Sequence, residues 1–195
     1  QQRTSAGGTW QGGDTVQAAI GQSDNQFSPL QLAAYRATIA NNGTRLKTHI
    51  VSKVTDYAQK NIVSKTAPQT ADNVGVPQQN IDYVKKGMRS VATSGTASSM
   101  FGSYGIAIAG KTGTAEGPGS DNVTFIGFAP YENPEIAVAV VLEHGATSRF
   151  SNTVAKDIFD AYFYGKSVDD KGNFVFPTPA SSAGSAVSGA SSASH

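Results

Sequence analysis

Three apolar runs in the second half of the chain decide the fold: "GIAIAGKTGTAE" (105–116), "NVTFIGFAPY" (122–131) and "EIAVAVVLEH" (135–144). The link "GPGSD" separates the first two, and Asn133-Pro134 precedes the third. Both links consist of turn-forming residues and have the length of a hairpin connection. The pattern therefore predicts a three-stranded antiparallel meander.

The segment that follows, "FSNTVAKDIFDAYFYGK" (150–166), repeats its apolar residues at helical spacing. Ser151 or Asn152 is predicted to cap the start of this helix, and Gly165 to end it. An amphipathic helix needs an apolar surface to pack on. We expect it to lie across one face of the meander.

Two more helices are predicted upstream. The run "NIDYVKKGMRSVAT" (80–93) has apolar residues on one helical face. In "SPLQLAAYRATIANNG", Ser28 and Gln31 form a capping box and Pro29 occupies the first helical position. Gly43 is expected to stop this helix.

The remaining segments complete an α+β prediction, an antiparallel sheet packed against helices. Residues 44–67 contain two short runs that suit a minor two-stranded ribbon. Residues 177–195, "PTPASSAGSAVSGASSASH", are too poor in apolar side chains to offset the entropy of ordering. We predict a disordered tail there and a folded part over residues 1–176.

Composition excludes several classes of function. A net charge of +1 argues against electrostatic capture of nucleic acid. The absence of Cys removes disulfides and thiolate metal sites, and His49, His144 and His195 match no metal-ligand spacing. No apolar run approaches the roughly 20 residues needed to span a bilayer. No cofactor or metal is expected, and the non-Met start suggests a piece of a longer protein.

The chemistry is concentrated in "IAGKTGTAE" (108–116). Strand alternation sends Lys111 and Gly113 to one face and Thr112 and Thr114 to the other. Lys111 can place a positive charge beside a nucleophile, and the two hydroxyls can donate to a carboxylate. The Thr114 backbone N–H can supply half of an oxyanion hole. Gly113 lets another chain or a ligand approach the backbone. The tripeptide alone, however, favours the simpler interpretation of a Lys at a strand end with a Gly before a turn.

A set of further segments gives this motif its context. In chain order they are "WQGGDT" (10–15), "AIGQ" (19–22), "SPLQLA" (28–33), "ANNG" (40–43) and "GTA" (95–97), followed by the Lys-Thr-Gly strand. Over residues 10–165 the chain resembles the C-terminal half of the transpeptidase domain of penicillin-binding proteins, in particular the class B (monofunctional) type. The resemblance implies a β-lactamase/transpeptidase-like fold that is incomplete in this chain.

The activity that the resemblance implies is that of a serine D,D-transpeptidase. In this family a Ser attacks the D-Ala-D-Ala bond of a peptidoglycan stem peptide, and an amine from a neighbouring stem then takes the acyl group. Penicillins and other β-lactam antibiotics mimic D-Ala-D-Ala. The catalytic roles fall on Lys111, Thr112, Gly113 and Thr114, with substrate carboxylate binding on Thr112 and Thr114.

The nucleophile signature of this family, Ser-x-x-Lys, does not occur in the sequence. The nucleophile and two strands of the family's sheet are therefore expected upstream, so this chain alone is predicted to be inactive. Its expected partners are the N-terminal half of the domain, stem peptides, β-lactams and other cell-wall synthesis proteins. The implied location is the extracytoplasmic face of the bacterial membrane, with the anchor outside this chain.

The family's remaining signature, Ser-x-Asn, has two imitations here, Ser23-Asp24-Asn25 and Ser120-Asp121-Asn122. Both are interpreted as turn and cap chemistry, because Asp and Asn bond their own backbone in loops. Glu116 is interpreted as a solvated strand-end carboxylate. His144 beside Glu143 lacks the partners that a catalytic dyad needs.

Two alternatives stay open. A fragment of a serine β-lactamase or D,D-carboxypeptidase shares the fold and the Lys-Thr-Gly signature, although "SPLQLA" and "ANNG" favour the transpeptidase. A catalytically silent scaffold module would have kept the cleft and lost acylation.

Overall fold

The computed structural model describes residues 8–19, 21, 26–116 and 119–176, and the chain divides into two compact units, Gln1–Phe159 and Asp160–His195. Ser23-Asp24-Asn25 and the predicted tail 177–195 lie outside the described residues. The helices are α1 (Gly12–Ala19), α2 (Pro29–Ala40), α3 (Gln78–Thr93), α4 (Ser98–Phe101) and α5 (Ser148–Tyr164).

The strands form four antiparallel groups. The main sheet contains β5 (Ala109–Ala115), β6 (Asn122–Ala129) and β7 (Ile136–Leu142), and the short pairs join β1 (Thr44–Leu46) to β4 (Thr70–Asn73), β2 (Lys53–Thr55) to β3 (Ile62–Lys65) and β8 (Ser167–Val168) to β9 (Phe174–Val175).

The main sheet confirms the predicted meander. Its order is β5-β6-β7, and the register runs from Thr112 to Phe125 on β6 and on to Val140 on β7. Because paired residues share a face, the alternation of buried side chains along β6 sets the burial of its neighbours. Thr112 therefore lies on the same face as fully buried Phe125.

That face of the sheet carries an aromatic core. The ring of Phe101, from α4, lies 5.3 Å from the ring of Phe125 and 6.1 Å from that of Phe159 on α5. All three side chains are fully buried. The final helix thus contributes to the core of the first unit, as the amphipathic pattern predicts.

The opposite face is covered by the upstream helices. Ala40 of α2 and Met88 of α3 form a buried cluster with Ala109 and Phe128 of the sheet. Lys85 of α3 donates to the carbonyl of Ala40 at 2.9 Å and so satisfies a terminal carbonyl of α2. The sheet is therefore packed between helices on both faces.

The start of α2 confirms the predicted capping box. The Gln31 N–H donates to Ser28 Oγ at 3.2 Å, and the Ser28 N–H donates to Gln31 Oε1 at 2.8 Å. Gly43 follows the helix with a φ of +90°, a backbone conformation that favours glycine. The ends of this helix are therefore fixed by local chemistry.

The predicted cap of α5 at Ser151 or Asn152 is wrong. The helix begins at Ser148, and the Thr147 hydroxyl accepts the N–H of Arg149 at 3.4 Å. Ser151 and Asn152 are buried within the helix instead. The predicted end is confirmed, because the helix stops at Tyr164 and Gly165 has a φ of +67°.

The ribbon predicted within residues 44–67 is confirmed for β2 and β3. Residues Thr44–Leu46 pair instead with Thr70–Asn73, a strand that the sequence did not predict. Helix α1 was not predicted either. In the second unit, the Asn173 N–H donates to Asp169 Oδ1 at 2.7 Å and closes the β8–β9 hairpin.

Candidate active site

The Lys-Thr-Gly motif lies on the edge strand of the main sheet. Among the described residues, β5 has a strand partner only on the β6 side. Lys111 and Thr114 are exposed, whereas Thr112 is 7% exposed. The other edge of β5 is open to an extended chain, which can add to a sheet through main-chain hydrogen bonds.

The ammonium group of Lys111 folds back over its own strand. Its Nζ donates to the carbonyl oxygen of Thr112 at 2.6 Å. This contact keeps the charge beside the motif while the side chain as a whole remains exposed. The site therefore carries a positive charge at the backbone of Thr112.

The hydroxyl of Thr112 is paired with another hydroxyl. Its Oγ1 lies 2.7 Å from Oγ1 of Thr96, in the turn between α3 and α4. Thr96 belongs to the "GTA" segment, whose spacing to the strand gave no indication of a contact. The structure thus adds a residue to the neighbourhood of the motif.

Gly113 makes room for a side chain of the neighbouring strand. A Cβ atom at this position would collide with Oγ1 of Thr124, the residue opposite it on β6. The sequence predicted instead that this glycine allows approach of a ligand. The contact with Thr124 gives a structural reason for a glycine at this position, and the approach of a ligand to Gly113 stays a prediction.

The start of β5 is anchored by α3. Nη1 of Arg89 donates to the carbonyl of Ile108 at 2.9 Å, immediately before the strand. Sequence reasoning missed this contact because the two residues are 19 positions apart and belong to different elements. A cation on the sheet-facing side of α3 was the only available signal.

The second Ser-Asp-Asn copy leads into β6, which begins at Asn122, and its side chains bond the backbone of His144 rather than their own. Ser120 Oγ donates to the His144 carbonyl at 3.1 Å, and Asn122 Oδ1 accepts the His144 N–H at 2.9 Å. Glu143 and Glu116 are exposed. The structure brings none of these side chains into contact with Lys111 or Thr112.

The described part of the chain offers no group of three or more His, Cys, Asp or Glu side chains that could hold a metal ion. Within the same residues, no helix is both long and apolar enough to cross a bilayer.

This chain belongs to the penicillin-binding protein transpeptidase domain family, whose model matches residues 1–163. It is 37% identical to penicillin-binding protein 2A of Bacillus subtilis over 173 residues, which is 78% of this chain and 24% of that protein. It is 31% identical to the peptidoglycan D,D-transpeptidase MrdA of Acinetobacter baumannii, over 77% of the chain and 24% of the relative. The chain thus spans about a quarter of the length of these relatives.

Solved structures agree on the fold. Penicillin-binding protein 2B of Streptococcus pneumoniae matches with a TM-score of 0.70 at 32% identity, over 79% of this chain and 27% of that one. Penicillin-binding protein A of M. tuberculosis, in an imipenem acyl-enzyme complex, matches with a TM-score of 0.66 at 28% identity, over 75% of this chain and 33% of that one. The predicted α+β fold of transpeptidase type is confirmed.

Proposed function

We propose that the chain supplies the Lys-Thr-Gly side of a peptidoglycan D,D-transpeptidase active site. The observation that carries this proposal is the open edge of β5, where an exposed Lys111 lies beside Thr112 and Thr114. Family membership supports this reaction class, and the similarity to the peptidoglycan D,D-transpeptidase MrdA of Acinetobacter baumannii supports the particular reaction.

Each residue of the motif has a role in this proposal. The Lys111 ammonium lowers the electrostatic cost of an alkoxide at the attacking serine. Thr112 and Thr114 donate hydroxyl protons to the C-terminal carboxylate of the stem peptide. The Thr114 N–H stabilises the oxyanion of the tetrahedral intermediate, as preorganised donors do in acyl transfer. The strand edge aligns the substrate backbone.

The serine comes from outside these 195 residues, since the sequence has no Ser-x-x-Lys. The serine oxygen attacks the D-Ala-D-Ala carbonyl carbon, the peptide C–N bond breaks, and D-Ala leaves with a proton. An amine of a second stem peptide then displaces the serine and forms the cross-link. The 195 residues alone therefore do not acylate.

Partners and location follow from the same proposal. The segment that carries the nucleophile completes the site, stem peptides are the substrates, and β-lactams acylate the same serine. Cross-linking takes place outside the cytoplasm. The protein therefore works at the extracytoplasmic face of the membrane, held there by a segment outside these residues and beside other cell-wall synthesis proteins.

Covalent labelling with a fluorescent penicillin tests this function. The 195-residue chain should remain unlabelled, and the longer protein that includes a Ser-x-x-Lys segment should become labelled. In that longer protein, Lys111→Ala should slow acylation about 100-fold or more, the scale of losing a group that assists proton transfer. Lys65→Ala, which changes an exposed lysine on β3, should label at the normal rate.

Two results would contradict the proposal. Labelling of the 195-residue chain would mean that it holds a nucleophile of its own. Failure of the longer protein to label would favour the catalytically silent module. Release of free D-Ala without cross-linked product would instead indicate a carboxypeptidase.

A further inference from the structure

We infer that Thr96 is a positioning residue that directs the hydroxyl proton of Thr112 toward the carboxylate of the substrate. This inference rests on the proposed function, because it concerns the same site. Its starting point is the 2.7 Å contact between Oγ1 of Thr96 and Oγ1 of Thr112. At this distance the two hydroxyls share one hydrogen bond.

The direction of that hydrogen bond decides what Thr112 can do. Each threonine hydroxyl carries one proton and accepts through its lone pairs. If Thr112 donates to Thr96, its only proton is used and it has none left for a ligand. If Thr96 donates, Thr112 keeps its proton for a further acceptor. A carboxylate accepts only, so its arrival selects the second arrangement.

The resulting chain runs from Thr96 to Thr112 and on to the carboxylate. Donors in such a chain polarise one another, which strengthens the last hydrogen bond. Burial adds to the effect, because Thr112 is 7% exposed and water has little access to it. Thr96 thus acts through Thr112 without touching the ligand.

The turn that carries Thr96 is held on both sides. The Gly95 N–H donates to the Ser90 carbonyl at 2.9 Å, and the Ala97 N–H donates to the Val91 carbonyl at 3.1 Å. A Cβ atom at Gly95 would lie 2.8 Å from Cα of Val91, so the turn packs closely against its own helix. Ala97 is fully buried. The backbone from which the Thr96 side chain extends is therefore held in place.

A purely structural role for this contact makes different predictions. If the two hydroxyls only join the turn to β5, removing one of them should change the acylation rate by the same factor for every ligand of the site. They would also contribute to stability in proportion to the lost bond. The positioning role predicts an effect confined to ligands with a free carboxylate, and one that disappears when Thr112 has no hydroxyl.

The test measures the acylation rate of the longer, Ser-x-x-Lys-containing protein by benzylpenicillin and by its methyl ester. Thr96→Val should slow acylation by the free acid about 10-fold, the order of a hydrogen bond to a charged group. The rate with the ester should change by less than about 2-fold. Thr96→Ser, which keeps the hydroxyl, should restore most of the rate with the acid.

Two further variants sharpen the result. The double variant Thr96→Val/Thr112→Val should acylate no more slowly than Thr112→Val alone, because both changes break one chain of hydrogen bonds. Thr93→Val is the matched control, because the Thr93 hydroxyl donates only to carbonyls of its own helix, those of Arg89 and Ser90. It should acylate at the normal rate.

The outcomes separate the inference from the function beneath it. Failure of the unaltered longer protein to react with penicillin overturns the proposed function and this inference together. Normal reaction of that protein, with Thr96→Val equally fast or equally impaired toward acid and ester, overturns the inference alone. The inference alone is also overturned if the rate loss of the double variant equals the product of the rate losses of the two single variants.

Discussion

Gly110 and Gly127 lie opposite each other on β5 and β6, and the ring of Phe125 fills the space beside both. A Cβ atom at Gly110 would lie 2.5 Å from Cζ of that ring, and one at Gly127 would lie 2.8 Å from Cε1. Phe125 is fully buried and cannot move away into solvent. The two glycines therefore form the slot that holds the central aromatic side chain of the sheet.

The first prediction concerns this slot. Gly110→Ala should lower the free energy of unfolding by about 1–3 kcal/mol, because overpacking forces the Phe125 ring or the strand to shift. Urea denaturation of the 195-residue chain measures the change. Gly87→Ala on α3 is the control, since nothing lies within 4 Å of its added Cβ, and alanine stabilises a helix by roughly 0.5–1 kcal/mol over glycine. Equal urea midpoints for Gly110→Ala and Gly87→Ala would show that Gly110 is not needed to accommodate the Phe125 ring.

The second prediction uses the cross-strand contact of Gly113. The added methyl of Gly113→Ala would collide with Oγ1 of Thr124, so the variant should lose stability. Thr124→Ala removes that oxygen, and the double variant should recover most of the loss. A thermal unfolding series of the two single variants and the double variant measures the coupling. Additive losses would mean that the Gly113 backbone, rather than Thr124, imposes the constraint.

The third prediction concerns a buried cation. Arg36 is 4% exposed, and burial lowers the pKa of its guanidinium. Its Nη1 donates to Sδ of Met88 at 2.6 Å, whereas its Nε has no hydrogen-bond partner among the described residues. Replacing a buried charge by an apolar side chain of similar length is commonly neutral or stabilising. Arg36→Met should therefore raise the free energy of unfolding by on the order of 1 kcal/mol.

Arg36→Ala is the companion variant, because it removes the charge and the volume together. It should be less stable than Arg36→Met by about 2 kcal/mol or more, since it leaves a cavity. Denaturant unfolding of both variants provides the comparison. If Arg36→Met proves less stable than the unaltered chain, the guanidinium makes a favourable interaction, and the prediction is wrong.

The fourth prediction concerns pH and the β2–β3 turn. Asn61 Nδ2 donates to Asp56 Oδ2 at 2.7 Å, and the Lys60 N–H donates to Asp56 Oδ1 at 2.9 Å. These bonds, that of the Asn61 side chain foremost, hold the pKa of the Asp56 carboxyl below its ordinary value. The carboxylate is thus favoured in the folded turn. Its contribution is complete above the unfolded pKa and is lost as pH falls through the lower folded pKa.

Side-chain NMR titration tests this directly. Asn61→Ala should raise the pKa of Asp56 toward its ordinary value, because it removes the hydrogen bond that lowers this pKa most. Lys60→Ala should leave the pKa nearly unchanged, since Lys60 donates through its backbone. An Asp56 pKa that responds to Lys60→Ala and not to Asn61→Ala would reverse the assignment.

Local patterns predicted the parts of the fold that local chemistry fixes. The capping box of Ser28 and Gln31 requires only neighbouring residues, and so it could be predicted from the sequence. The first strand was predicted from residue 105, yet it begins at Ala109. The carbonyl of Ile108, immediately before it, accepts from Arg89 of another helix, a contact that the local sequence does not show.

Elements with weak local preference escaped prediction. Strand β4, Thr70–Asn73, is polar and mostly exposed, and only its pairing with Thr44–Leu46 makes it a strand. Helix α1 contains two glycines, which disfavour helix, although Asp14 Oδ2 accepts the N–H of Gln11 at its start. Strand pairing outweighs propensity in β4, whereas the contacts at the start of α1 are local, from Gln11 to Asp14 and from Trp10 to Thr15.

The candidate site likewise contains residues that the sequence predicted and residues that only the structure shows. Lys111 to Thr114 were found because a short motif on an apolar strand, preceded by family segments in the expected order, can be read along the chain. Thr96 and Arg89 contact this strand across 16 and 19 positions of sequence. Their contacts appear only when α3 and β5 are packed together.

Helix α3 carries polar contacts to two different elements, from Lys85 to α2 and from Arg89 to the start of β5, and Thr96 follows just beyond its end. An extra residue within a helix rotates everything after it by about 100°. A one-residue insertion within α3 between positions 85 and 93 therefore cannot keep all three contacts. Insertions and deletions among related chains should be absent from this interval and should occur at exposed turns such as residues 56–61. The positions of these length differences would then show where the domain tolerates insertion.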